Sequence, residues 1–269
     1  MKTHLLTGCG SGIGRHVARE LVRRGQRVWA TDIDEAGLAA LAAELGQPDT
    51  LLRTARLDVR DPAGWETQIT NLVRDWGRLD VAMNIAGYLK PGYVEQETAD
   101  EVHRHFDINT KGVIFGTQAA ARQMLKQGSG HIINIASLAG ITPVPGLNLY
   151  SASKFAVRGY SLSAAMDLGP RGVKVTVVCP DAVQTPMLDL QVDYEQAALT
   201  FSGPRALSTE DVTRAILDRA LVKAPMEIML PLSRGWTAKL ASALPGLSGG
   251  LLQLLRRKGR EVQARRRQH

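Results

Sequence analysis

The feature that most constrains the fold is a regular alternation of short apolar runs with longer stretches of helical period. The apolar runs are rich in β-branched residues and hydrophobic at consecutive positions, which is typical of strands buried on both faces. They predict strands at Lys2–Thr7, Arg27–Thr31, Leu51–Leu57, Leu79–Ile85, His131–Ala136, Val173–Cys179 and Met226–Leu230. The intervening stretches predict helices at Gly12–Arg24, Asp34–Leu45, Pro62–Trp76, Ala99–Gln127, Tyr150–Leu168 and Thr209–Val222. Together they predict an α/β protein with a doubly wound parallel sheet of seven strands.

Four glycines lie between Gly8 and Gly14, after the first predicted strand and at the start of the first predicted helix. Glycine permits a tight turn close to a ligand, and the start of a helix offers unpaired N–H groups to phosphate oxygens. A simple turn would also explain the glycines. Because a strand precedes them and a helix follows, the pattern favours a dinucleotide-binding turn in a single Rossmann-type domain.

Asp32 ends the second predicted strand, eighteen positions after Gly14. A carboxylate there can accept hydrogen bonds from the ribose hydroxyls and would repel a 2′-phosphate, so it favours NAD over NADP. Two alternatives remain open. Asp32 could cap the helix that follows it, and Arg15 could supply a cation for a 2′-phosphate.

Tyr150 and Lys154 are four residues apart and therefore share one face of a predicted helix. A nearby ammonium and the cationic ring of NAD⁺ favour the tyrosine phenolate, which could then remove a proton from an alcohol. Ser137 follows the fifth predicted strand, at the sheet edge where ligands of open α/β sheets bind. Its hydroxyl could hold the substrate oxygen or simply cap a turn.

These segments resemble the short-chain dehydrogenase/reductase family over residues 1 to about 230. Thr7-Gly8-x-x-x-Gly12-Ile13-Gly14 matches the glycine pattern of that family, and Asn84-Ile-Ala-Gly87, Asn109, Ser137 and Tyr150-x-x-x-Lys154 follow in its order. The resemblance implies a catalytic tetrad of Asn109, Ser137, Tyr150 and Lys154. It also implies cofactor contacts by Gly8, Ser11, Gly12, Ile13, Gly14, Asp32, Asp58, Val59, Asn84, Ala86, Gly87, Tyr150, Lys154, Val183 and Thr185.

The same resemblance assigns roles to several of these residues. Lys154 would bind the nicotinamide ribose, and Asn109 would hold a water that relays protons. Asp58 and Val59 would flank the adenine, Asn84 would stabilise the central strand, and Val183 and Thr185 would meet the nicotinamide carboxamide.

Two positions depart from the pattern of the family. Ile85 replaces an asparagine that often follows Asn84, which is a mild change. Asp181 replaces the glycine that usually follows Pro180. We expect Asp181 either to favour the cationic form of the cofactor, to meet a polar group of the substrate, or to be a solvated loop residue.

The segments expected to line a substrate pocket are mostly apolar: Tyr88-Leu89, Leu138-Ala139, Val144 to Leu149, and Met187 to Leu190. Such a pocket suits a lipophilic secondary alcohol or ketone that is steroid-, retinoid- or fatty-acyl-like. Residues 187–206 are expected to form a mobile lid. His103 and His105 have no metal partners in view and are expected to be structural or solvent-facing, so no metal site is predicted.

The region after Leu230 is expected to be a C-terminal extension, residues 231–269, beside the domain formed by residues 1–230. From Arg256 onward it holds seven arginines and lysines against one glutamate, so it carries most of the net charge of +7. An apolar stripe precedes them: Trp236, Leu240, Leu244, Leu247, Leu251, Leu254 and Leu255. This pattern predicts two short helices that either contact an anionic membrane surface or cover the pocket or a subunit interface. Nucleic-acid binding is not expected, because no recognition helix or interleaved aromatic residue accompanies the arginines.

The sequence therefore predicts an NAD(H)-dependent oxidoreductase with Tyr150 as general acid and base. The alternatives are an NADP(H)-dependent carbonyl reductase and a non-catalytic NAD(H)-sensing or membrane-associated binding protein. Cys9 and Cys179 show no disulfide or zinc spacing, which indicates a reducing, cytoplasmic location. We expect a homodimer, formed in the family through the long helices that hold Asn109 and Tyr150, with possible peripheral contact to the inner face of a membrane.

Overall fold

The seven predicted strands form one parallel sheet in the order β3-β2-β1-β4-β5-β6-β7, in a computed structural model that describes residues 1–46, 50–247 and 249–267. The strands are β1 (Thr3–Thr7), β2 (Arg27–Asp32), β3 (Leu52–Arg56), β4 (Val81–Asn84), β5 (Gly130–Ile135), β6 (Val173–Pro180) and β7 (Glu227–Leu230). The order reverses between β1 and β4, so the carboxyl ends of these two strands flank the crevice where ligands of such sheets bind. The predicted fold class is confirmed.

Helices cover both faces of this sheet. They are α1 (Gly12–Arg23), α2 (Glu35–Glu44), α3 (Pro62–Trp76), α4 (Ala99–His105), α5 (Gly112–Gln127), α6 (Asn148–Leu168), α7 (Pro186–Asp189), α8 (Thr209–Ala215), α9 (Leu221–Lys223), α10 (Leu232–Ala243) and α11 (Gly249–Arg267). Side chains alternate along a strand, so Leu6 packs with α1, α2 and α8 while its neighbour Leu5 packs with α3, α5 and α6. This two-sided burial explains why the strands are apolar at consecutive positions.

The helix predicted at Ala99–Gln127 is interrupted. A π-helical turn at Phe106–Lys111 separates α4 from α5, and Asn109 is fully buried within it. A π turn inserts an extra residue into a helix and is frequent at functional sites. Hydrophobic periodicity alone gives no signal for it, because the chain is helical on both sides of the turn.

The C-terminal extension forms α10 beside β7 and then α11, which packs against the 3₁₀ turns at Glu195–Ser202. Gly259 allows close contact, since a Cβ there would collide with the carbonyl oxygen of Ala198. The buried Gln263 side chain donates hydrogen bonds to the carbonyl oxygens of Gln191 (3.1 Å) and Tyr194 (2.8 Å). The expected lid, residues 187–206, therefore consists of short helical turns beneath α11.

Candidate active site

The glycine-rich turn connects β1 to α1 with a backbone that only glycine adopts easily. Gly8 has φ +72° and Gly12 has φ +54°. A Cβ on Gly14 would collide with the carbonyl oxygen of Gly8, so the helix starts in close contact with the turn. Ser11 precedes α1 without a capping hydrogen bond from its side chain. The start of α1 therefore presents backbone N–H groups and positive potential, which suits the pyrophosphate of a dinucleotide.

Asp32 lies at the end of β2 against this turn. Its carboxylate accepts hydrogen bonds from the backbone N–H of Gly10 at 2.8 Å and of Asp34 at 2.9 Å. The alternative that Asp32 caps the next helix is wrong, because Asp34 is the N-cap of α2 and accepts from Gly37 N–H. Arg15, the other candidate at this end, pairs with Glu44 at 3.0 Å.

Asp58 and Val59 follow β3 on the outer side of the crevice. Asp58 pairs with Arg60 at 2.6 Å, and this hydrogen bond lowers the pKa of the carboxyl. Val59 is buried, and its carbonyl oxygen accepts from the Trp65 indole at 3.0 Å. The expected adenine neighbours are thus held by local contacts at the edge of the sheet.

The end of β4 is fixed by a buried polar network that the sequence analysis recognised only in part. Asn84 donates to the side-chain oxygen of Asn134 on β5 at 2.7 Å, and Asn134 donates to the Ser161 hydroxyl of α6 at 2.9 Å. The Thr7 hydroxyl accepts from the backbone N–H of Ile85 and Ala86, at 3.0 and 3.1 Å. Because the N–H of residue 85 makes this bond, replacing asparagine by isoleucine leaves the backbone contact intact.

Ser137, Tyr150 and Lys154 line one cavity at the carboxyl end of β5. Ser137 accepts from Ala139 N–H at 3.1 Å, so it also caps the turn after β5, as its alternative reading predicted. The Lys154 ammonium is buried, donates to the carbonyl oxygen of Ile135 at 2.9 Å, and lies 5.7 Å from the centroid of the Tyr150 ring. These three side chains can therefore act on one substrate oxygen and one cofactor.

Burial moves the pKa values of the two ionisable groups in opposite directions. It raises the pKa of Tyr150 to about 12, and a hydrogen bond with Ser137 opposes the shift. It lowers the pKa of Lys154 to about 8. Each group is thus biased towards its neutral form, as expected when an ionisable group is removed from water.

Asn109 ties the π turn to the end of β4. Its side-chain oxygen accepts from Tyr88 N–H at 2.7 Å, and its side-chain nitrogen donates to the Tyr88 carbonyl at 2.8 Å and to the Ser153 hydroxyl at 2.9 Å. A Cβ on Gly87 would lie 3.4 Å from this side-chain oxygen and 3.7 Å from the Lys154 ammonium. The absence of a side chain at Gly87 therefore leaves room between Asn109 and Lys154.

Val183 and Thr185 follow β6 and line the cavity together with Ile13. A Cβ on Gly12 would lie 3.2 Å from Cγ2 of Thr185, so the loop after β6 meets the glycine-rich turn. The predicted nicotinamide end of the site and the predicted pyrophosphate end are thus adjacent.

The cavity has a volume of about 760 Å³ and is mostly apolar. Most of its expected lining is present: Leu89, Leu138, Ala139, Val144, Leu147, Met187 and Leu188. Tyr88 was expected there but points elsewhere, since its hydroxyl donates to Glu101 at 2.8 Å. The C-terminal extension covers the pocket, as one alternative predicted, but it does so mainly through residues outside the leucine stripe. The α10 residues in this wall are Arg234, Thr237, Ala238, Ala241 and Ser242.

Asp181 is not a solvated loop residue, as one alternative had it. Its side chain is 16% exposed and pairs with Arg234 of α10, with Nε and Oδ2 2.8 Å apart. Burial raises the pKa of Asp181, and the Arg234 charge opposes this shift. The partners are 53 positions apart in the chain, so no local pattern indicates the pair.

No group of three or more His, Cys, Asp or Glu side chains in the described ranges is placed to hold a metal ion. His103 is exposed, whereas His105 is buried and its Nδ1 lies 2.8 Å from the carbonyl oxygen of Glu101. Across the same described ranges, no helix is long and apolar enough to span a bilayer.

Comparison with known proteins decides the family. The family model described as short chain dehydrogenase matches residues 2–195. The chain belongs to the short-chain dehydrogenase/reductase family. Like other members of that type, it is an oxidoreductase that acts on alcohols and ketones with a nicotinamide cofactor.

Its relatives differ in substrate and cofactor. A 3-alpha-(or 20-beta)-hydroxysteroid dehydrogenase of Mycobacterium bovis is 39% identical over 200 residues, which cover 74% of this chain and 75% of the relative. An NADP-dependent 3-hydroxy acid dehydrogenase of Salmonella typhi is 35% identical over 242 residues, covering 86% and 96%. A family member from Burkholderia phymatum, solved in complex with NAD, superposes with a TM-score of 0.82 at 26% identity, covering 92% and 95%.

Proposed function

We propose that this protein is an NAD(H)-dependent dehydrogenase/reductase that interconverts a lipophilic secondary alcohol and its ketone, with Tyr150 as general acid and base. One observation carries the proposal. Ser137, Tyr150 and Lys154 converge on a largely apolar cavity, and Ile13 of the glycine-rich turn lines the same cavity. An alcohol carbon bound near Tyr150 would thus lie beside a dinucleotide held at the start of α1.

Each side chain has a defined task in this mechanism. The Ser137 hydroxyl holds the substrate oxygen, and the Tyr150 hydroxyl exchanges a proton with that oxygen. Lys154 favours the Tyr150 phenolate through its charge and binds the cofactor ribose. Asn109, locked to Tyr88, keeps the π turn in place and offers a site for a water that passes protons to solvent. A nicotinamide cofactor held by the glycine-rich turn and Lys154 would supply the hydride acceptor for the alcohol carbon in oxidation.

Two contacts support NAD as the preferred cofactor. The Asp32 carboxylate is fixed at the end of β2 by Gly10 and Asp34, where it can accept from ribose hydroxyls and would repel a phosphate. Arg15 is paired with Glu44, so its charge is already compensated. The same two contacts count against an NADP(H)-dependent carbonyl reductase.

We also propose a homodimer built on α5 and α6. The outward face of α6 presents small residues, Ala152, Gly159 and Ser163, and the exposed Met166. Such a face lets a second helix approach closely. Light scattering should give twice the chain mass, and Gly159→Arg should give monomers; a wild-type monomer would overturn the proposal.

The C-terminal extension suggests peripheral contact with an anionic membrane. Leu232, Trp236 and Leu240 recur every fourth residue on α10, Leu244 directly follows its last residue, and all four are exposed. Leu254 is exposed on α11 near Arg257 and Lys258. Side chains of Leu247 and Leu251, also in the predicted stripe, lie outside the described part of the structure.

Cys9 and Cys179 are free and buried, which fits a reducing compartment such as the cytoplasm.

The first experiment follows the absorbance of reduced nicotinamide with NAD⁺ and NADP⁺ against a panel of lipophilic secondary alcohols, steroids included. We expect turnover with NAD⁺, a loss of at least about a thousandfold in kcat for Tyr150→Phe, and unchanged NADH affinity for this variant. Asp32→Ala should reduce the preference for NAD⁺ over NADP⁺. Retention of full activity by Tyr150→Phe, or failure to bind either reduced cofactor by fluorescence, would overturn the proposal.

A further inference from the structure

Most polar side chains of the cavity wall are already hydrogen-bonded to their own surroundings. The Thr200 hydroxyl donates to Gln191, whose side-chain nitrogen donates to the carbonyl oxygen of Met187, both at 2.9 Å. The hydroxyls of Ser202 and Thr237 donate to nearby backbone carbonyls at 2.7 and 3.1 Å. These groups can shape the cavity, but they are poorly placed to recognise a ligand.

The Arg234–Asp181 pair differs from these groups. A guanidinium carries five N–H donors. Within the described ranges, the partner found for Arg234 is the Asp181 carboxylate, which faces Nε. One terminal nitrogen, Nη1, lies against Gly203, because a Cβ on Gly203 would collide with it. Because Gly203 has no side chain, the guanidinium fits between α10 and the turn that closes the cavity. The Asp181 pair engages Nε and leaves the N–H donors of the terminal nitrogens for a ligand.

The pair lies at the catalytic end of the cavity. Asp181 directly follows Pro180, whose carbonyl oxygen accepts a hydrogen bond from the Ser137 hydroxyl at 3.4 Å. Arg234 is on the first turn of α10, and the rest of the cavity wall continues along that helix through Ala238 and Ala241 to Leu255 of α11. The charged pair is therefore linked to Ser137 through Pro180, and Ala238, Ala241 and Leu255 supply apolar surface further along the wall.

The charge of the pair restricts what it can bind. Asp181 compensates the charge of Arg234, so an anion entering the subsite would meet the carboxylate at short range. A neutral oxygen meets no such repulsion, and a hydrogen bond from a charged donor is stronger than one between neutral groups.

We propose that Arg234, positioned by Asp181, forms a subsite for a second, neutral oxygen of the substrate, a carbonyl close to the reacting carbon. The substrate class is then an oxygenated head with an apolar remainder, such as a β-keto ester and its hydroxy ester. This inference rests on the proposed function and narrows it, since a simple lipophilic alcohol would leave the guanidinium donors of Arg234 unused.

A binding experiment tests the subsite separately from catalysis. The Tyr150→Phe protein, loaded with whichever reduced nicotinamide cofactor it binds more tightly, is titrated by calorimetry with ethyl 3-oxooctanoate, 3-oxooctanoate and 3-octanone. We expect the ester to bind about tenfold or more tightly than the simple ketone, and the free acid to bind more weakly than the ester. Arg234→Met should abolish the preference for the ester while leaving the affinity for 3-octanone unchanged.

Matched variants separate recognition from structure. Lys239→Met removes another cation of α10, one that pairs with Glu227 and does not line the cavity, and it should leave the ester preference intact. Arg234→Lys should restore part of the preference.

Equal affinity for the ester and the ketone in the Tyr150→Phe protein would overturn the subsite, as would equal loss of both affinities on adding Arg234→Met. Tighter binding of the free acid would overturn the choice of a neutral oxygen. Absence of turnover with a preserved ester preference would instead count against the proposed function alone.

Discussion

In the proposed mechanism, catalysis depends on the partly buried Tyr150 and the buried Lys154, and each is biased towards its neutral form. Burial raises the pKa of Tyr150 to about 12 and lowers that of Lys154 to about 8. A protonated Tyr150 is already competent to donate a proton to a ketone. Oxidation requires the phenolate, which is favoured by the charge of Lys154 and by the cationic ring of the oxidised cofactor. The pair therefore responds to pH differently in the two directions of the reaction.

We predict that kcat for alcohol oxidation at saturating NAD⁺ rises with pH to a plateau, because the phenolate is the active form. Lys154→Met removes the ammonium that stabilises the phenolate, so the midpoint should move up by about one pH unit or more, equivalent to about 1.4 kcal/mol. Lys154→Arg keeps the charge and should move it less. Rate profiles against pH for the three proteins give the midpoints, which belong to the Tyr150–Lys154 pair as a unit. A midpoint unchanged in Lys154→Met contradicts this role.

At the scale of the elements, most of the sheet and the site could be predicted because they are local patterns. Strand periodicity, the turn from Gly8 to Gly14 and the four-residue spacing of Tyr150 and Lys154 are all visible in short windows. The π turn around Asn109 leaves no such trace, since the chain is helical before and after it. The Asp181–Arg234 pair and the docking of α11 arise from contacts between distant segments, which one sequence does not reveal.

Helix α11 should control access to the substrate cavity but not to the cofactor site. Gly259→Val places a side chain against the Ala198 carbonyl, so it should push α11 away from the turns at Glu195–Ser202 and loosen the wall formed by Leu255. We predict a several-fold higher KM for lipophilic substrates and an unchanged Kd for NADH. Ala264→Val, on the exposed face of the same helix, is the matched control and should leave both values unchanged. Steady-state kinetics and NADH fluorescence measure them, and equal effects of the two variants would exclude this gating role.

At the scale of the whole molecule, the large apolar side chains of α10 face solvent rather than the protein interior. Ala238 and Ala241 face the cavity, whereas Trp236 is 61% exposed and Leu240 is 65% exposed. Small residues on the inner face make space for a substrate. The outer face, left to solvent, is an apolar stripe of the kind that marks an interaction surface.

We predict that this stripe and the basic outer face of α11 together bind anionic vesicles. Wild-type protein should co-sediment with phosphatidylserine-containing vesicles at low salt and release as salt rises, because electrostatic attraction supplements shallow insertion of the apolar side chains. Trp236→Ser combined with Leu240→Ser should lower the partition coefficient about tenfold or more. Val222→Ser removes a similarly exposed apolar side chain from α9 and should have no such effect. If the double variant instead changes the oligomeric mass in light scattering, with no vesicle binding by wild type, the stripe is a protein interface. If the double variant loses vesicle binding and the control variant keeps it, the cavity wall formed by α10 lies at the membrane surface, where a lipophilic substrate is concentrated.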